Sequence, residues 1–282
     1  MSEWPSGARG ALCLSFDNLG EAAEIELGAL AEDAPLGEHF TATRVLPTVL
    51  EALRERDLAA TFFVEGLNAE LYPEALKAIA AAGHEVAYHA WRHEQWGELS
   101  SAEQAENLAR GSAASDALGL MFAGMRPPGG QLGPGGVEVM RDAGLRYCSP
   151  AGAGAGIEDG IAILPFDWRH VDASCVLPPL APVREQMTGS TDPLEPDDFL
   201  RYLEAEIERL ATDGGFATLV LHLFMLDWLG EDRLDALLDL LAVSSRSGDL
   251  WLAPCAEVAE HVLAHPSEFP ADTKLDMTSW AG

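Results

Sequence analysis

The sequence predicts an α/β protein whose parallel strands curl into a distorted (β/α) barrel of about seven strand and helix units. Short apolar runs alternate along the 282 residues with longer segments of helical periodicity, an order typical of parallel strands buried on both faces. No internal stretch is rich enough in Pro, Ser or Gly to separate two domains, and barrels of about 250 residues fold as one unit. A flat doubly wound sheet is the alternative architecture.

The strand candidates are short, apolar and bounded by polar residues or glycine. They are residues 11–16, 61–64, 84–88, 145–148, 161–166, 217–221 and 250–253. Helix candidates lie between them at 44–56, 73–82, 102–118, 135–143, 197–211 and 232–241. Ser100 and Glu103 have the spacing of a capping box, Gly83 and Gly144 follow helical runs as left-handed stops, and Pro73 suits a first helical turn.

Three segments complete the predicted organisation. We expect one barrel domain over residues 1–265 and a loose, polar C-terminal extension over residues 266–282. The glycine-rich segment 150–156 has no GK[ST] and does not lead from a strand into a helix, so we predict a flexible loop there instead of a phosphate-binding loop.

Composition argues against two classes of partner. Forty-six Asp and Glu residues against 17 Lys and Arg give a formal net charge of -29, which repels phosphate backbones and anionic lipid head groups. We therefore expect no nucleic acid and no membrane as partners. The first ten residues lack the basic start and apolar run of a signal peptide, and the four cysteines are scattered without CxxC spacing. Both features predict a cytoplasmic protein with reduced, buried thiols.

Five polar clusters are each expected just after an apolar strand. They are Asp17 with Asn18, the segment 89–93, Arg126, the segment 167–172 and His222. In a parallel barrel these clusters would converge on the rim formed by the carboxyl ends of the strands, where barrel active sites lie.

His89 and His93 have the HxxxH spacing, which on one helical turn would point both imidazoles at a shared metal ion. Zinc is the first candidate. Solvated or capping histidines are the alternative, and the neighbouring oxygen donors of Asp17 and Asn18 favour a mixed nitrogen and oxygen site that activates water.

His222 and Arg126 each allow two interpretations. A histidine inside an apolar run is either a core residue bonded to a backbone carbonyl or, at a strand exit opposite a metal, a general acid. Arg126, before two prolines, is either a surface ion-pair residue or the group that keeps a catalytic carboxylate ionised.

Taken together, the motifs resemble the polysaccharide deacetylases with a NodB homology domain. The similarity covers about residues 11–261, and five segments follow in the family's order. They are Ser15-Phe-Asp-Asn18, Gly83-His-Glu-Val-Ala-Tyr-His89 continuing to His93, Arg126-Pro-Pro-Gly129, Phe166-Asp-Trp168 with Asp172 close behind, and Leu219-Val-Leu-His222. The continuation after His222 is most similar to an intracellular branch that includes allantoinase-like and peptidoglycan-deacetylase-like members.

The resemblance implies a distorted barrel, a divalent metal ion and a homo-oligomer. It implies that Asp17 is the general base, that Asn18, His89 and His93 hold Zn²⁺ or else Co²⁺, Ni²⁺ or Mn²⁺, and that His222 protonates the leaving amine. Arg126 would orient Asp17, and Asp172 or Asp167 would tune His222. The residues expected to contact substrate are Trp91, Pro128 and Trp168.

One departure from the family pattern concerns the metal. The second aspartate of the first motif is Asn18 here, and a neutral amide oxygen holds a cation less tightly than a carboxylate does. The expected reaction is metal-dependent removal of an acetyl group from an N-acetylated sugar or a related soluble metabolite. A cyclic-amide hydrolase of the allantoinase-like kind and a degenerate protein that only binds such compounds are the alternatives.

Overall fold

A computed structural model describes residues 4–31, 33–269 and 273–276. The strands in these residues are Gly10–Asp17 (β1), Thr61–Val64 (β2), Glu85–Tyr88 (β3), Gly124–Met125 (β4), Tyr147–Cys148 (β5), Gly152–Ala153 (β6), Gly156–Glu158 (β7), Ile161–Ile163 (β8), Gly215–His222 (β9), Leu250–Leu252 (β10) and Lys274–Leu275 (β11). The α-helices are Ala22–Glu26 (α1), Leu46–Glu55 (α2), Asn68–Leu71 (α3), Pro73–Ala81 (α4), Ser101–Ala117 (α5), Gly136–Asp142 (α6), Ala181–Thr188 (α7), Pro196–Asp213 (α8), Leu226–Leu229 (α9), Glu231–Ser247 (α10) and Cys255–Ala264 (α11).

Nine strands form one curled, mostly parallel sheet. The hydrogen-bonded order is β10, β1, β2, β3, β4, β5, β8 and β7, and β9 also pairs with β1. Every pair is parallel except β7 with β8. Isolated parallel bridges join Ala151 to Phe166 and Val171 to Val220, so the chain after β8 reaches β9 and continues the curl. The predicted α/β fold with a distorted parallel barrel is confirmed.

Alternation along β1 explains why both faces of the sheet are buried. Leu12, Leu14 and Phe16 belong to the largest apolar cluster, which also contains residues of α2, α4, α8 and α10. Ala11 and Cys13 point to the other face and belong to a second cluster with residues of α11. Because successive side chains of a strand point to opposite faces, this small-residue face leads directly to Asp17 at the end of the strand.

All seven predicted strands and all six predicted helices are present. The capping box of Ser100 and Glu103 forms at the start of α5, and Gly83 and Gly144 have φ values of 86° and 85° after their helices. The four cysteines are free and buried, as expected. Four short strands, β4, β6, β7 and β11, were not predicted, because runs of two or three residues are too short to form a recognisable apolar pattern.

The glycine-rich segment was predicted to be a flexible loop, and this prediction was wrong in part. Gly152–Ala153 pairs antiparallel with Lys274–Leu275, and Gly156–Glu158 pairs antiparallel with β8. The described part of the predicted extension is therefore tied to the barrel, with Phe269 buried as well. Residues 270–272 and 277–282 of that extension lie outside the described residues. None of the helices described has the length and apolar character needed to cross a bilayer.

Candidate active site

The polar clusters lie at the carboxyl ends of neighbouring strands, as the barrel predicts. Asp17 is the last residue of β1, and its register partner on β9 is His222. His89 follows β3 and donates its backbone N–H to Val64 O at the end of β2, and Arg126 follows β4 and donates its backbone N–H to Tyr88 O at the end of β3. Parallel strands in this register bring residues from four strands to one rim.

Asp17 is held as a buried carboxylate by Arg126. Its Oδ1 accepts a hydrogen bond of 2.6 Å from Arg126 Nη1, and both side chains are almost fully buried. Burial by itself would raise the pKa of Asp17, but the Arg126 cation, together with His89 and His222 when these rings are protonated, outweighs burial and lowers the pKa below its usual range. The carboxylate is therefore ionised at neutral pH, as a general base must be.

Arg126 is itself fixed by groups that leave it little freedom. Its Nη1 also donates to Ser15 Oγ at 2.9 Å, its Nη2 donates to Ser149 Oγ at 3.1 Å, and its guanidinium lies 4.0 Å from the centroid of the Phe63 ring. Of the two interpretations of Arg126, the structure supports the inward-facing one and excludes the surface ion pair.

His222 forms a second buried pair with Asp172. The Nδ1 atom of His222 lies 2.6 Å from Asp172 Oδ1, and the backbone N–H of His222 donates to Asp172 Oδ2 at 2.7 Å. Burial would lower the pKa of His222, but the Asp172 carboxylate outweighs it, so the pKa of His222 is raised. Because Asp172 engages Nδ1, Nε2 is the ring atom left for a ligand.

The choice between Asp172 and Asp167 as the partner of His222 is thus answered by the structure. Asp167 accepts hydrogen bonds from the Nε and backbone N–H of Arg169, both at 2.9 Å, and makes no contact with His222. The other interpretation of His222, a core histidine bonded to a backbone carbonyl, does not agree with these contacts to Asp172.

His89 and His93 lie together, although the expected helical turn is absent. The segment between them is an irregular turn in which Ala90 has φ 61° and His93 has φ 73°, so the HxxxH prediction of a helix was wrong. The two ring centroids are nevertheless 4.9 Å apart. Burial lowers the pKa of His89 to about 4 and that of His93 to about 3, which keeps both rings neutral.

Asn18 is held from behind by a buried glutamate that the sequence analysis did not single out. Asn18 Nδ2 donates to Glu65 Oε1 at 2.6 Å, and Glu65 Oε2 accepts from Leu19 N at 3.2 Å and from Asn68 Nδ2 at 3.0 Å. Since the Asn18 amide nitrogen faces Glu65, its carbonyl oxygen is the atom left for the pocket. Burial raises the pKa of Glu65 to about 8.

Glu65 had the same signal as the other clusters, since it follows the predicted strand 61–64 directly. It was missed because a single glutamate after an apolar run is an ordinary surface feature in a sequence. Only the packing shows that its side chain turns inward beneath Asn18.

The donors present suit a divalent cation in part. His89 Nδ1 lies 2.8 Å from Arg126 O, which leaves Nε2 with its lone pair 4.0 Å from Asp17 Oδ2. His93 Nδ1 is buried without a hydrogen-bond partner. Two neutral imidazoles beside a carboxylate fit zinc chemistry. Among the described residues no group of three His, Cys, Asp or Glu side chains is placed to hold an ion, and the amide of Asn18 is a further oxygen donor at the site.

A cavity of about 290 Å³ opens over these side chains. Trp168 lines it, as expected of a substrate contact. Trp91 does not; it is buried with the Arg110 guanidinium 3.6 Å from its ring. Pro128 is also buried away from the cavity, and its neighbours Pro127 and Gly129 line the wall in its place. The expectations for Trp91 and Pro128 are corrected accordingly.

A parallel barrel with an ionised carboxylate, a protonatable histidine and two neutral histidines at its rim belongs to the class of α/β-barrel proteins with an acid–base site. Comparison with known proteins is more specific. Residues 30–148 match the family model for polysaccharide deacetylase. The match covers less than half of the 282 residues, and together with the five motifs it makes the chain similar to the polysaccharide deacetylase family.

Known relatives are similar to part of the chain or share its fold. A peptidoglycan-N-acetylglucosamine deacetylase from Listeria monocytogenes is 31% identical over 149 residues, 52% of this chain and 28% of the relative. The chain thus matches less than a third of that relative's length. A provisionally assigned polysaccharide deacetylase from Mycobacterium smegmatis is 25% identical, with a TM-score of 0.77 over 98% of this chain and 96% of its own.

Two further solved structures share the fold. The allantoinase Puue is 20% identical, with a TM-score of 0.72 over 94% of each chain. A family 4 carbohydrate esterase pseudoenzyme from Bacillus anthracis is 18% identical, with a TM-score of 0.55 over 94% of this chain and 68% of its own.

Proposed function

We propose that this protein is a metal-dependent hydrolase that removes an acetyl group from an N-acetylated sugar or a related small metabolite. The observation that carries the proposal is the pair of opposed side chains at the rim. Asp17 is kept ionised by Arg126, and across the β1–β9 register His222 is kept protonatable by Asp172. A base and an acid whose pKa values are moved apart by their surroundings are what amide hydrolysis requires.

Four side chains of the protein have separate roles in the proposed reaction. Asp17 accepts the proton of the attacking water, and Arg126 keeps this carboxylate oriented and ionised. His222 donates a proton from Nε2 to the departing amine nitrogen, while Asp172 holds its ring through Nδ1 and stabilises the charged form. Burial of Arg126 and Asp172 preserves these orientations through the reaction.

A divalent ion, zinc in the first instance, would be held by His89, His93 and the carbonyl oxygen of Asn18. When bound, it would lower the pKa of water and polarise the amide carbonyl. The amide of Asn18 supports weaker retention than the family's aspartate would give, and the same amide favours a degenerate binding protein as the second candidate function.

We extend the proposal to a cytoplasmic homo-oligomer that does not act on nucleic acid or membranes. The supports are the four free, buried cysteines and the net charge of -29. Oligomerisation rests on the family resemblance alone.

The test combines metal analysis with product release. Purified protein is stripped with chelator and reloaded with Zn²⁺, Co²⁺, Ni²⁺ or Mn²⁺, and acetate is measured from N-acetylglucosamine, chitooligosaccharides and small acetamides. The expected result is metal-dependent acetate release that is lost in His89→Ala/His93→Ala and kept in the control His265→Ala. Ring opening of a cyclic ureide without acetate release would favour the allantoinase-like alternative. Binding without any turnover would favour the degenerate binder.

A further inference from the structure

The cavity above the reacting groups has an apolar mouth. The polar side chains Asp17, Asn18, His89, His93, Arg126 and His222 are gathered at its inner end. Toward the solvent the wall is mainly aliphatic and aromatic, with Leu27, Leu177 and Phe224 among its members. These three side chains are 67%, 40% and 40% exposed, and they are among the few large apolar side chains that the described surface leaves open to water.

Few backbone N–H groups around the mouth are free to donate a hydrogen bond to a ligand. The N–H groups of Gly130, Val171, Leu177 and Leu180 donate to carbonyl oxygens nearby, and that of Ala173 donates to Asp172 Oδ1. Pro127 and Pro179, which also line the wall, have no N–H. Beyond the reacting groups, Gln95 is the side-chain amide in the lining.

A saccharide would find few hydrogen-bond partners for its hydroxyl groups on such a wall. Each ring hydroxyl exchanges water for a partner, and a hydroxyl left without one costs free energy. A hydrocarbon or aromatic group placed there would instead bury the exposed surfaces of Leu27, Leu177 and Phe224. The volume of about 290 Å³ suits one small molecule, since sites for drug-sized ligands begin at about 300 Å³.

We propose, resting on the proposed function, that the substrate is a small N-acyl amide whose body is apolar, and that Leu27 and Leu177 form the subsite that selects it. The reacting amide lies against Asp17 and His222, and the hydrocarbon part of the molecule occupies the mouth. Sugar amides are then the weaker substrates.

The experiment compares two acetamides with the same reacting bond, N-acetylphenethylamine and N-acetylglucosamine, in zinc-loaded protein. Binding is measured by calorimetry and turnover by acetate release. Leu27→Ser and Leu177→Ser remove apolar surface at the mouth. The matched control is Met121→Ser, which removes an apolar side chain that is 84% exposed and does not line the cavity.

The expected result is at least about ten-fold tighter binding of N-acetylphenethylamine, the difference that a few methylenes make in an apolar site. Leu27→Ser and Leu177→Ser should each weaken that binding several-fold and leave N-acetylglucosamine and the control unchanged. Equal or tighter binding of the sugar, or binding of neither compound, overturns the inference. Selective binding without acetate release supports the apolar subsite and counts against the hydrolase alone.

Discussion

His222 has the geometry of a general acid, because Asp172 engages Nδ1 and leaves Nε2 to the cavity. We predict that His222→Ala lowers kcat by about 10²–10⁴-fold, the usual contribution of acid catalysis. The substitution also leaves the buried Asp172 carboxylate without its side-chain partner, so the midpoint of thermal unfolding should fall, and kcat is measured well below that midpoint. The exposed His265→Ala is the control. An active His222→Ala enzyme would show that the leaving amine takes its proton from another group.

The pH profile should report the same pair. Activity requires Asp17 ionised and His222 protonated. The lowered pKa of Asp17 and the raised pKa of His222 therefore predict a plateau through neutral pH and a loss on the alkaline side. Asp172→Asn removes the charge that raises the pKa of His222, so the alkaline limb of kcat/KM should move to lower pH. If the alkaline limb does not move in Asp172→Asn, a group other than His222 is responsible for it.

Asn18 and Glu65 act as a unit, which changes the expected effect of restoring the family's aspartate. At a pH above the Glu65 pKa of about 8, the new carboxylate of Asn18→Asp would lie against an ionised Glu65 and lose the 2.6 Å hydrogen bond, so like charges would oppose the gain in cation affinity. Asn18→Asp/Glu65→Gln supplies a donor in place of that carboxylate. We predict that the double variant binds zinc about ten-fold more tightly, equivalent to about 1.4 kcal/mol, and that Asn18→Asp alone gains less.

Chelator competition on wild type, both single variants and the double variant measures this coupling without reference to activity. If all four proteins release zinc at the same chelator concentration, Asn18 does not touch the ion. A single Asn18→Asp variant that gains as much as the double variant would show that Glu65 does not limit the site.

At the level of strands, the pairing of β6 with β11 ties the C-terminal segment to the barrel. A Cβ atom at Gly152 would lie 2.4 Å from Lys274 O, so Gly152→Ala should push β11 away. Trypsin should then cleave after Lys274 several-fold faster than in wild type, because the bond is no longer held in a strand. Gly154→Ala is the matched control, since Gly154 also has a positive φ but no atom near its Cβ position. Equal cleavage of all three proteins would contradict the pairing.

The segment 89–93 shows how tertiary contacts overrule a local pattern. The backbone N–H of Gly66 donates to Ala90 O, and that of Leu67 donates to Trp91 O, both at 2.9 Å. These bonds to the chain after β2 take the carbonyls that a helix would use, and Ala90 adopts a positive φ as a result. The histidines still meet, but through a turn.

The charge of the whole chain leads to a prediction about salt. With a net charge of -29, repulsion among surface carboxylates opposes folding, and it is screened as the Debye length falls from about 30 Å at 0.01 M to about 3 Å at 1 M. We predict that the melting temperature rises by a few degrees between 0.01 and 0.5 M NaCl. KCl should give the same increase, because screening depends on ionic strength. A falling melting temperature would mean that the surface ion pairs contribute more than the repulsion.

Local patterns were sufficient for the architecture and for most of the rim. Apolar runs and helical periodicity arise between near neighbours in the chain, so the seven strands and six helices could be predicted, and with them the positions of Asp17, Asn18, His89 and His222 after strands. The family motifs added roles to these positions. The strands β4, β6, β7 and β11 could not be predicted, because two or three residues are fewer than any pattern that identifies a strand needs.

Which polar side chains pair with each other could be determined only from the folded chain. His222 and Asp172 are 50 residues apart in sequence, and Asn18 and Glu65 are 47 apart. Whether Asp172 or Asp167 faces the histidine depends on the direction of each side chain, and so does the placement of Glu65 beneath Asn18 and of Trp91 outside the cavity. That direction is set by contacts between distant segments, because burial of a charged or polar group is stable only where the fold supplies its partner.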